Sequence, residues 1–253
     1  MKIGYACINM TLQKAGGITT NRSMRQKTYN ERGLDYCSEL ALQNVKDLVN
    51  IIKWNNEMRI KQFRMSSDIF PWMSYYQLDE LPDYEEISDY LYMAGDEASG
   101  KQRLTFHPGH FNVLCSPNPA VVKKTIKELN QHSQIMDIMG LSKTVYNKIN
   151  IHVGGAYGDK QAALKRWVDI VFDFYHHKFC TGGLSEQEAL ELALSTWPKD
   201  ITPCTHYSES RRKEHLDESI RAQAHSDLIY NKIPTYGNEF DCVVEAKHKE
   251  LAV

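Results

Sequence analysis

Short apolar runs alternate with longer amphipathic segments along the chain, and this alternation is typical of strand–helix units around a parallel sheet. Strands are predicted at residues 3–8, 60–65, 103–107, 148–152, 168–173, 203–206 and 241–246. Helices are predicted at residues 34–55, from 116–119 to 139, at 159–167 and at 185–197, the last with a capping box formed by Ser185 and Glu188. Residues 211–223 are predicted to form a helix or a loop. The pattern predicts an α/β fold, a TIM-type (β/α) barrel with about seven parallel strands.

The predicted barrel is one strand short of the usual eight, and the sequence indicates where it is compressed. The helix at residues 159–167 would be about 13 Å long, whereas the strand before it would run about 17 Å. A crossover between parallel strands needs a dozen or more residues, a minimum that residues 153–167 barely meet. We therefore expect an incomplete barrel, irregular between the fourth and fifth predicted strands.

The length and composition fit one intracellular barrel domain. The chain has 253 residues, 42% of them hydrophobic, so residues 1–253 are predicted to form a single domain of the usual barrel size. Six cysteines are scattered without a CxxC motif, the N-terminus lacks the apolar core of a secretory signal, and no run approaches the ~18 apolar residues of a membrane span. We expect a cytoplasmic monomer with free thiols and no membrane partner.

The charges are unevenly distributed, although the net charge of −2 gives no overall basic surface for nucleic acid. Residues 79–97 contain eight acids and are predicted to form a solvated helix face. Residues 1–32 carry six basic residues against one acid. This basic segment fits either an ordinary surface or a local patch that contacts phosphates.

Histidines and carboxylates recur where predicted strands end. The candidates are His107, His152, Asp173, His176, His206, His225 and Glu245. A single histidine near a strand end is usually structural, but parallel strands bring their C-terminal ends to one rim, so these side chains are expected to converge. Seven ligands exceed the needs of one tetrahedral zinc and favour two or three divalent ions, Mn²⁺, Zn²⁺ or Mg²⁺. Two such ions can generate a hydroxide nucleophile and stabilise the leaving oxygen of a phosphodiester.

A tight turn after the third predicted strand is expected to project an aromatic pair. Pro108 and Gly109 turn the chain sharply after His107, because proline lacks a backbone donor and glycine allows a positive φ. His110 and Phe111 would then protrude from the rim loop as an imidazole–aromatic pair. The alternative is an ordinary barrel turn with a buried phenylalanine.

With these residues assembled, the chain resembles the UV-damage endonuclease family over nearly its whole length. Eight motifs carry the resemblance: IGYACIN at 3–9, FRMSSDIFP at 63–71, FHPG at 106–109, HVGGAYGDK at 152–160, FDFYHH at 172–177, HYS at 206–208, AHSD at 224–227 and EAK at 245–247. Their shared order along the chain makes the match highly specific. The resemblance implies a TIM barrel similar to xylose isomerase and endonuclease IV.

The resemblance also implies an activity and residue roles. It implies a DNA-repair endonuclease with a manganese-type metal cluster, which nicks UV-damaged double-stranded DNA 5′ of the photoproduct without ATP and associates with the nucleoid during repair. The seven candidates named above would be the metal ligands. The DNA contacts would be Tyr5, Asn9, Arg64, His110, Phe111, Lys160 and Arg211. His110 and Phe111 match the pair that enters the duplex opposite a lesion, where family members often carry glutamine and an aromatic residue.

The sequence departs from the family pattern in three places. A βα unit whose strand supplies a bridging metal carboxylate is missing after Trp167, where the strand count is also one short. Cys204 stands where the family often has a lysine, two residues before the histidine of HYS, and Tyr75 stands near a histidine of some members. Loss of a bridging carboxylate would weaken metal binding, and loss of a strand would expose two sheet edges.

Three alternatives to a cutting endonuclease stay open. A relative crippled by the missing unit would bind lesions without cutting, a sugar isomerase on the same barrel would have a closed pocket, and an unstable product would aggregate. The protruding pair His110 and Phe111 favours DNA over a sugar. So do the loop cations that can contact phosphates, which are Arg22, Arg25, Lys27 and residues 211–213.

Overall fold

The computed structural model contains one parallel β-sheet with helices packed against it. It describes residues 2–114, 116, 118–144, 146–151, 184–195, 197 and 199–252. The strands are β1 Ile3–Ala6, β2 Gln62–Met65, β3 Arg103–Phe106, β4 Cys204–Tyr207 and β5 Asp241–Val244. They lie in the order β3-β2-β1-β5-β4, and all pairs among them are parallel, which confirms the predicted α/β class.

Helices follow the strands along the chain. They are α1 Met10–Gly16, α2 Gln26–Glu57, α3 Tyr84–Ala98, α4 Pro119–Ile138, α5 Glu186–Ser195 and α6 Arg211–Glu214. Short 3₁₀ helices lie at Met73–Tyr75, Leu78–Glu80 and Lys249–Ala252. None of the helices in the described part of the chain is long and apolar enough to cross a membrane.

Most predicted elements lie close to their predicted positions. The capping box is confirmed, because the Ser185 amide donates to Glu188 Oε2 at 2.8 Å and the Glu188 amide donates to Ser185 Oγ at 3.2 Å. Helix α2 begins earlier than predicted and is kinked at Gly33, whose φ of 65° is a conformation that glycine adopts readily. Helix α1 is not among the predicted elements, and α6 is a short helix followed by turns.

Two of the predicted strands are not settled by the structure. In the fourth, residues 148–152, Ile149 forms a single parallel bridge to Phe106 of β3. The fifth, residues 168–173, lies outside the described residues together with the helix before it and the short crossover. A total of about seven strands therefore stays a prediction, as does the single domain.

The sheet curves so strongly that side chains from its two edge strands meet. A flat sheet would hold the edges of five strands about 19 Å apart, at ~4.8 Å per strand. Instead, Arg103 on β3 donates to the carbonyl of Thr202, just before β4, at 3.0 Å. At the opposite end of the same strands, the rings of His107 and His206 are 5.9 Å apart. The sheet thus has the curvature of a barrel wall, with these side chains in its interior.

The core lies between the outer face of the sheet and the helices. Tyr5 and Phe63 pack with Leu48 and Ile52 of α2, and all four side chains are fully buried. Helix α3 presents an acidic outer face, as predicted for this segment. Its exposed acids are Glu85, Glu86, Asp89 and Asp96.

A carboxylate from the end of the described chain caps the first helix. Glu250 is 5% exposed, and its two oxygens accept the amides of Met10 and Thr11 at 2.9 and 2.6 Å. Asn9 satisfies a third amide of the same turn, that of Leu12, at 2.9 Å. Helix N-termini carry free amides and a partial positive charge, so a buried carboxylate at this position stabilises α1.

We expect Glu250→Ala to lower the free energy of unfolding by about 1–2 kcal/mol, because two partly buried amides at the start of α1 lose their acceptor. Urea unfolding followed by circular dichroism measures this change. Glu239→Ala is the matched control, since Glu239 is exposed. Equal stability of the two variants would show that the cap does not stabilise the fold.

Candidate active site

Glu245 is the centre of a cluster of charged and imidazole side chains at the C-terminal rim of the sheet. It follows β5 directly, and its Oε1 accepts a hydrogen bond from Arg64 Nη1 at the end of β2. The same oxygen lies 3.5 Å from His206 Nδ1, and Oε2 lies 3.7 Å from His225 Nε2. Three predicted metal ligands, His206, His225 and Glu245, therefore meet around one carboxylate.

His107 extends this cluster from β3. It is the first residue after the strand, and its ring lies 5.9 Å from that of His206 at nearly a right angle. His107 Nδ1 is 3.0 Å from the carbonyl oxygen of Asn150, which requires a proton on Nδ1. In the neutral ring Nε2 then carries the lone pair, the form in which a histidine ligates a metal.

Ser208 orients His225 in the same way. The Ser208 hydroxyl donates to the carbonyl of Glu245 at 2.9 Å and lies 2.7 Å from His225 Nδ1, so it accepts the Nδ1 proton. The lone pair of neutral His225 is then on Nε2, the nitrogen nearest Glu245. A separate antiparallel bridge between Ser210 and His225 holds the loop around His225, which we call the histidine loop, against the chain that follows β4.

Burial and charge set the protonation states in the cluster. Burial alone would raise the pKa of Glu245, but the Arg64 guanidinium, followed by His206 and His225, holds that pKa well below its usual range. Burial lowers the pKa of His206 well below its ordinary value, and the positive charge of Arg64 lowers it further, against the opposing effect of Glu245. At neutral pH the cluster therefore presents an anionic carboxylate and a neutral imidazole, the forms that metals bind.

The remaining predicted ligands are not placed. His152, Asp173 and His176 lie outside the described residues, as does Lys160, a predicted DNA contact. Their roles stay predictions.

The predicted protruding pair is present on the rim loop after β3. Phe111 is 80% exposed, and its ring centroid lies 3.9 Å from that of His110. The loop is held in place, because Asn112 donates its backbone amide to Gly109 O at 2.9 Å and its side-chain amide to Glu128 Oε1 at 2.6 Å. The alternative of a buried phenylalanine at this turn is wrong for Phe111.

Tyr5 and Asn9 have no exposed surface, so their predicted contact with DNA is wrong for this conformation. The Tyr5 hydroxyl donates to Asn55 Oδ1 at 2.8 Å and accepts from Asn9 Nδ2 at 2.9 Å. Side chains alternate along a strand, and Tyr5 lies on the face of β1 that packs against α2. Both residues instead link the sheet to its helices.

The predicted arginine contacts are engaged within the protein. Arg64 is 11% exposed and binds Glu245, so its place is in the cluster rather than on the DNA-facing surface. Arg211 is 39% exposed at the start of α6, with its Nε 3.4 Å from Asp227. Among the N-terminal basic residues, Arg22 is bound to Asp47 at 2.7 Å, whereas Arg25 and Lys27 are exposed.

Sequence reasoning did not find the contacts that the neighbours of the cluster make. Ser208 lies two residues after His206, and the same-face spacing of a strand was the available signal. Cys204, which departs from the family lysine, is buried and accepts a hydrogen bond from Gln62 at 2.9 Å. Lys148 Nζ donates a hydrogen bond to the Cys204 carbonyl at 3.2 Å. No local pattern indicates these contacts, because they join strands far apart in sequence.

A second group of metal-binding residue types, Glu214, His215 and Asp227, lies beside the histidine loop. His215 Nε2 is 2.8 Å from Asp227 Oδ2. Glu214 accepts the amides of Asp227 and Leu228 at 2.6 and 3.2 Å. These bonds fasten α6 to the segment after His225, so the group supports the site structurally.

Histidines and a carboxylate at the C-terminal rim of a curved parallel sheet are the arrangement found in the active sites of TIM-type barrel enzymes. The sequence model of the family described as "UV-endonuclease UvdE" matches residues 1–170 and 167–253. The chain therefore belongs to the UvdE family, as its motifs predicted. The fold agrees with the crystal structure of SacUVDE at a TM-score of 0.83 and 25% identity, over 100% of this chain and 95% of that one.

Curated relatives match the whole chain. It is 29% identical to the UV-damage endonuclease of Schizosaccharomyces pombe and 27% identical to the UV DNA damage endonuclease of Clostridium perfringens. The chain spans 49% of the yeast protein and 69% of the bacterial one. The alignments extend over 300 and 297 positions although this chain has 253 residues, so both relatives carry additional residues. The two parts of the family match meet at residues 167–170, where one βα unit is predicted to be missing.

Proposed function

We propose that this chain is a metal-dependent DNA-repair endonuclease that nicks the phosphodiester on the 5′ side of UV photoproducts. One observation supports it most strongly: His206 and His225 face the two oxygens of Glu245 at 3.5 and 3.7 Å, at the rim of a barrel of the UvdE family. The relatives named as UV-damage endonucleases support the substrate class.

The described residues of the cluster are of the types that bind divalent cations. Neutral imidazoles and an anionic carboxylate suit Mn²⁺ and Zn²⁺, and Mn²⁺ is the metal we propose. His107, His206, His225 and Glu245 would hold it, joined by His152, Asp173 and His176 from outside the described residues. When bound, such a metal lowers the pKa of water and adds positive charge beside the scissile phosphate. The hydrogen bonds from His107 to Asn150 and from His225 to Ser208 fix the rings that would face it.

Arg64 is proposed to position Glu245 rather than to contact DNA. Its guanidinium lies on the carboxylate and keeps the pKa of Glu245 low in a site where burial would raise it. The charge also offsets the cost of keeping an anion among buried groups.

The rim loop after β3 is proposed to recognise the lesion. A photodimer weakens stacking and pairing, so bending the duplex and unstacking a base cost less there than in intact DNA. An exposed aromatic wedge can fill the space that unstacking opens. Phe111 is suited to this, since it is 80% exposed and the Asn112–Glu128 bond anchors its loop to α4.

The proposed setting is a monomer acting on double-stranded DNA in the cytoplasm, at the nucleoid during repair. Support comes from the free thiols of Cys7, Cys37 and Cys204, which fit a reducing compartment.

Nicking of UV-irradiated supercoiled plasmid in Mn²⁺ tests the proposal. We expect relaxed circles from irradiated plasmid, little product from unirradiated plasmid, and none after EDTA treatment. Binding of irradiated DNA without relaxation of the plasmid would favour a non-cutting relative, in which loss of the βα unit has abolished cutting. Conversion of an aldose to a ketose, without DNA affinity, would favour the isomerase.

A further inference from the structure

Three aromatic rings, one exposed and two partly buried, form a cluster on the side of the sheet that carries the proposed active site. We call Tyr29, Trp72 and Tyr75 the rim aromatic cluster. Its ring centroids lie 5.6 Å apart for Tyr29 and Trp72, 5.7 Å for Tyr29 and Tyr75, and 5.3 Å for Trp72 and Tyr75. Tyr29 lies at the start of α2, after β1, and the other two follow β2, so all three stand at the C-terminal ends of parallel strands.

The cluster is built rigidly although it faces solvent. Trp72 Nε1 donates to the carbonyl of Met24 at 3.1 Å, and Trp72 O accepts the Tyr75 amide at 2.9 Å. Tyr75 is nevertheless 51% exposed. An aromatic ring that is held by its neighbours and open on one side loses little entropy when a flat partner stacks on it.

A lysine lies over the exposed ring. Lys124 Nζ, from the first turns of α4, lies 4.8 Å from the centroid of Tyr75. Arg25 and Lys27 are exposed at the start of α2, beside Met24, to which Trp72 is bonded. Aromatic rings next to cations are the elements with which proteins bind single-stranded nucleic acid, the rings taking bases and the cations taking phosphates.

Helix α4 connects the rim aromatic cluster to the loop that carries His110 and Phe111. Lys124 and Glu128 are four residues apart, so they share one face of α4 at a separation of about 6 Å along its axis. Glu128 accepts the side-chain amide of Asn112, the residue after Phe111. The loop that carries Phe111 and the rim aromatic cluster thus contact adjacent turns of α4.

We propose that the rim aromatic cluster binds an unpaired nucleotide of the DNA strand displaced beside the lesion, with the base stacked on Tyr75 and its phosphate on Lys124. This inference rests on the proposed function, because insertion of Phe111 would open the duplex at the lesion and leave a nucleotide unpaired. The occupant is a nucleotide rather than a protein side chain, since Lys124 lies over the exposed ring and the exposed Arg25 and Lys27 stand at the start of the helix that carries Tyr29.

Binding of fluorescent oligo(dT) and of a duplex with one thymine dimer, measured by anisotropy without added metal, tests the inference. Tyr75→Ser is expected to weaken both affinities by about tenfold, the contribution of one base stack. Tyr75→Phe retains the ring and is expected to bind like the wild type. Lys124→Gln is expected to reduce the dependence of log affinity for the duplex on log salt by about one.

Matched controls lie elsewhere on the surface. Tyr92→Ser removes a tyrosine that is 64% exposed on α3, and Lys143→Gln removes a lysine that is 80% exposed. Both are expected to bind like the wild type. Tyr75→Ser binding both ligands like Tyr92→Ser would overturn the inference, and so would a wild-type chain without affinity for oligo(dT).

The inference and the proposed function can fail separately. If the wild-type chain does not nick irradiated plasmid while Tyr75→Ser still loses oligo(dT) affinity, the nuclease activity is refuted and nucleotide binding by the rim aromatic cluster is supported. Normal nicking together with unchanged Tyr75→Ser binding refutes the cluster alone. Thermal melting of Tyr75→Ser, compared with Tyr75→Phe, shows whether the variant is folded.

Discussion

Glu245→Gln is expected to reduce the nicking of UV-irradiated plasmid by on the order of a thousandfold. The amide keeps the size of the side chain but removes the negative charge that Arg64, His206 and His225 surround. Without that charge the proposed metal loses its carboxylate ligand, so calorimetric titration with Mn²⁺ should also show weaker binding. Initial nicking rates at fixed Mn²⁺ give the size of the effect.

Two controls make the Glu245 result specific. Glu239→Gln changes an exposed carboxylate and is expected to leave nicking unchanged. His225→Asn removes a neighbouring imidazole of the cluster and should lose activity like Glu245→Gln. Nicking by Glu245→Gln within about tenfold of the wild type would show that this carboxylate is not part of the catalytic machinery.

Arg103→Met is expected to destabilise the fold by about 3–5 kcal/mol, because it removes one partner of a buried ion pair. Arg103 is fully buried, and its Nη1 lies 3.2 Å from Asp241 Oδ2. The same side chain donates to the carbonyls of Tyr146 and Thr202 at 2.6 and 3.0 Å. It therefore bridges β3, β5 and the segment before β4 at the end of the barrel opposite the active site.

Urea unfolding measures the effect of Arg103→Met, with Lys143→Met as the surface control. Lys143 pairs with Asp137 at 3.1 Å while 80% exposed, and exposed pairs contribute about 0–1 kcal/mol. If Arg103→Met does not fold, Arg103→Lys retains the charge and supplies the measurement. A loss of unfolding free energy no larger than that of Lys143→Met would show that the bridge formed by Arg103 does not stabilise the fold.

The strands were predictable because their apolar runs are local, and the positions of His107, His206 and Glu245 at the rim follow from parallel pairing. Helix α1 was not, since it buries no side chain and takes the acceptors for two of its first amides from Glu250 in addition to its N-cap Asn9. Such a contact joins opposite ends of the sequence. No local pattern of apolar and polar residues records it.

The roles of individual side chains were harder to predict than their positions in the fold. Tyr5 and Asn9 were assigned to DNA by resemblance, yet the side of β1 on which Tyr5 lies turns it toward α2 and buries it. Arg64 was assigned to DNA as well, but its partner Glu245 lies just after β5, a strand two positions away from β2 in the sheet. The pairing of Arg64 with Glu245 depends on the order of the strands in the sheet, which no local sequence pattern predicts.

The cutting of a short, end-labelled duplex with a single cyclobutane thymine dimer tests the central claim most directly. We predict one product in Mn²⁺, ending immediately 5′ of the dimer, that is absent with EDTA, with Glu245→Gln and with undamaged duplex. Absence of a product in Mn²⁺, Mg²⁺ and Zn²⁺ alike, or equal cutting of damaged and undamaged duplex, would contradict the account.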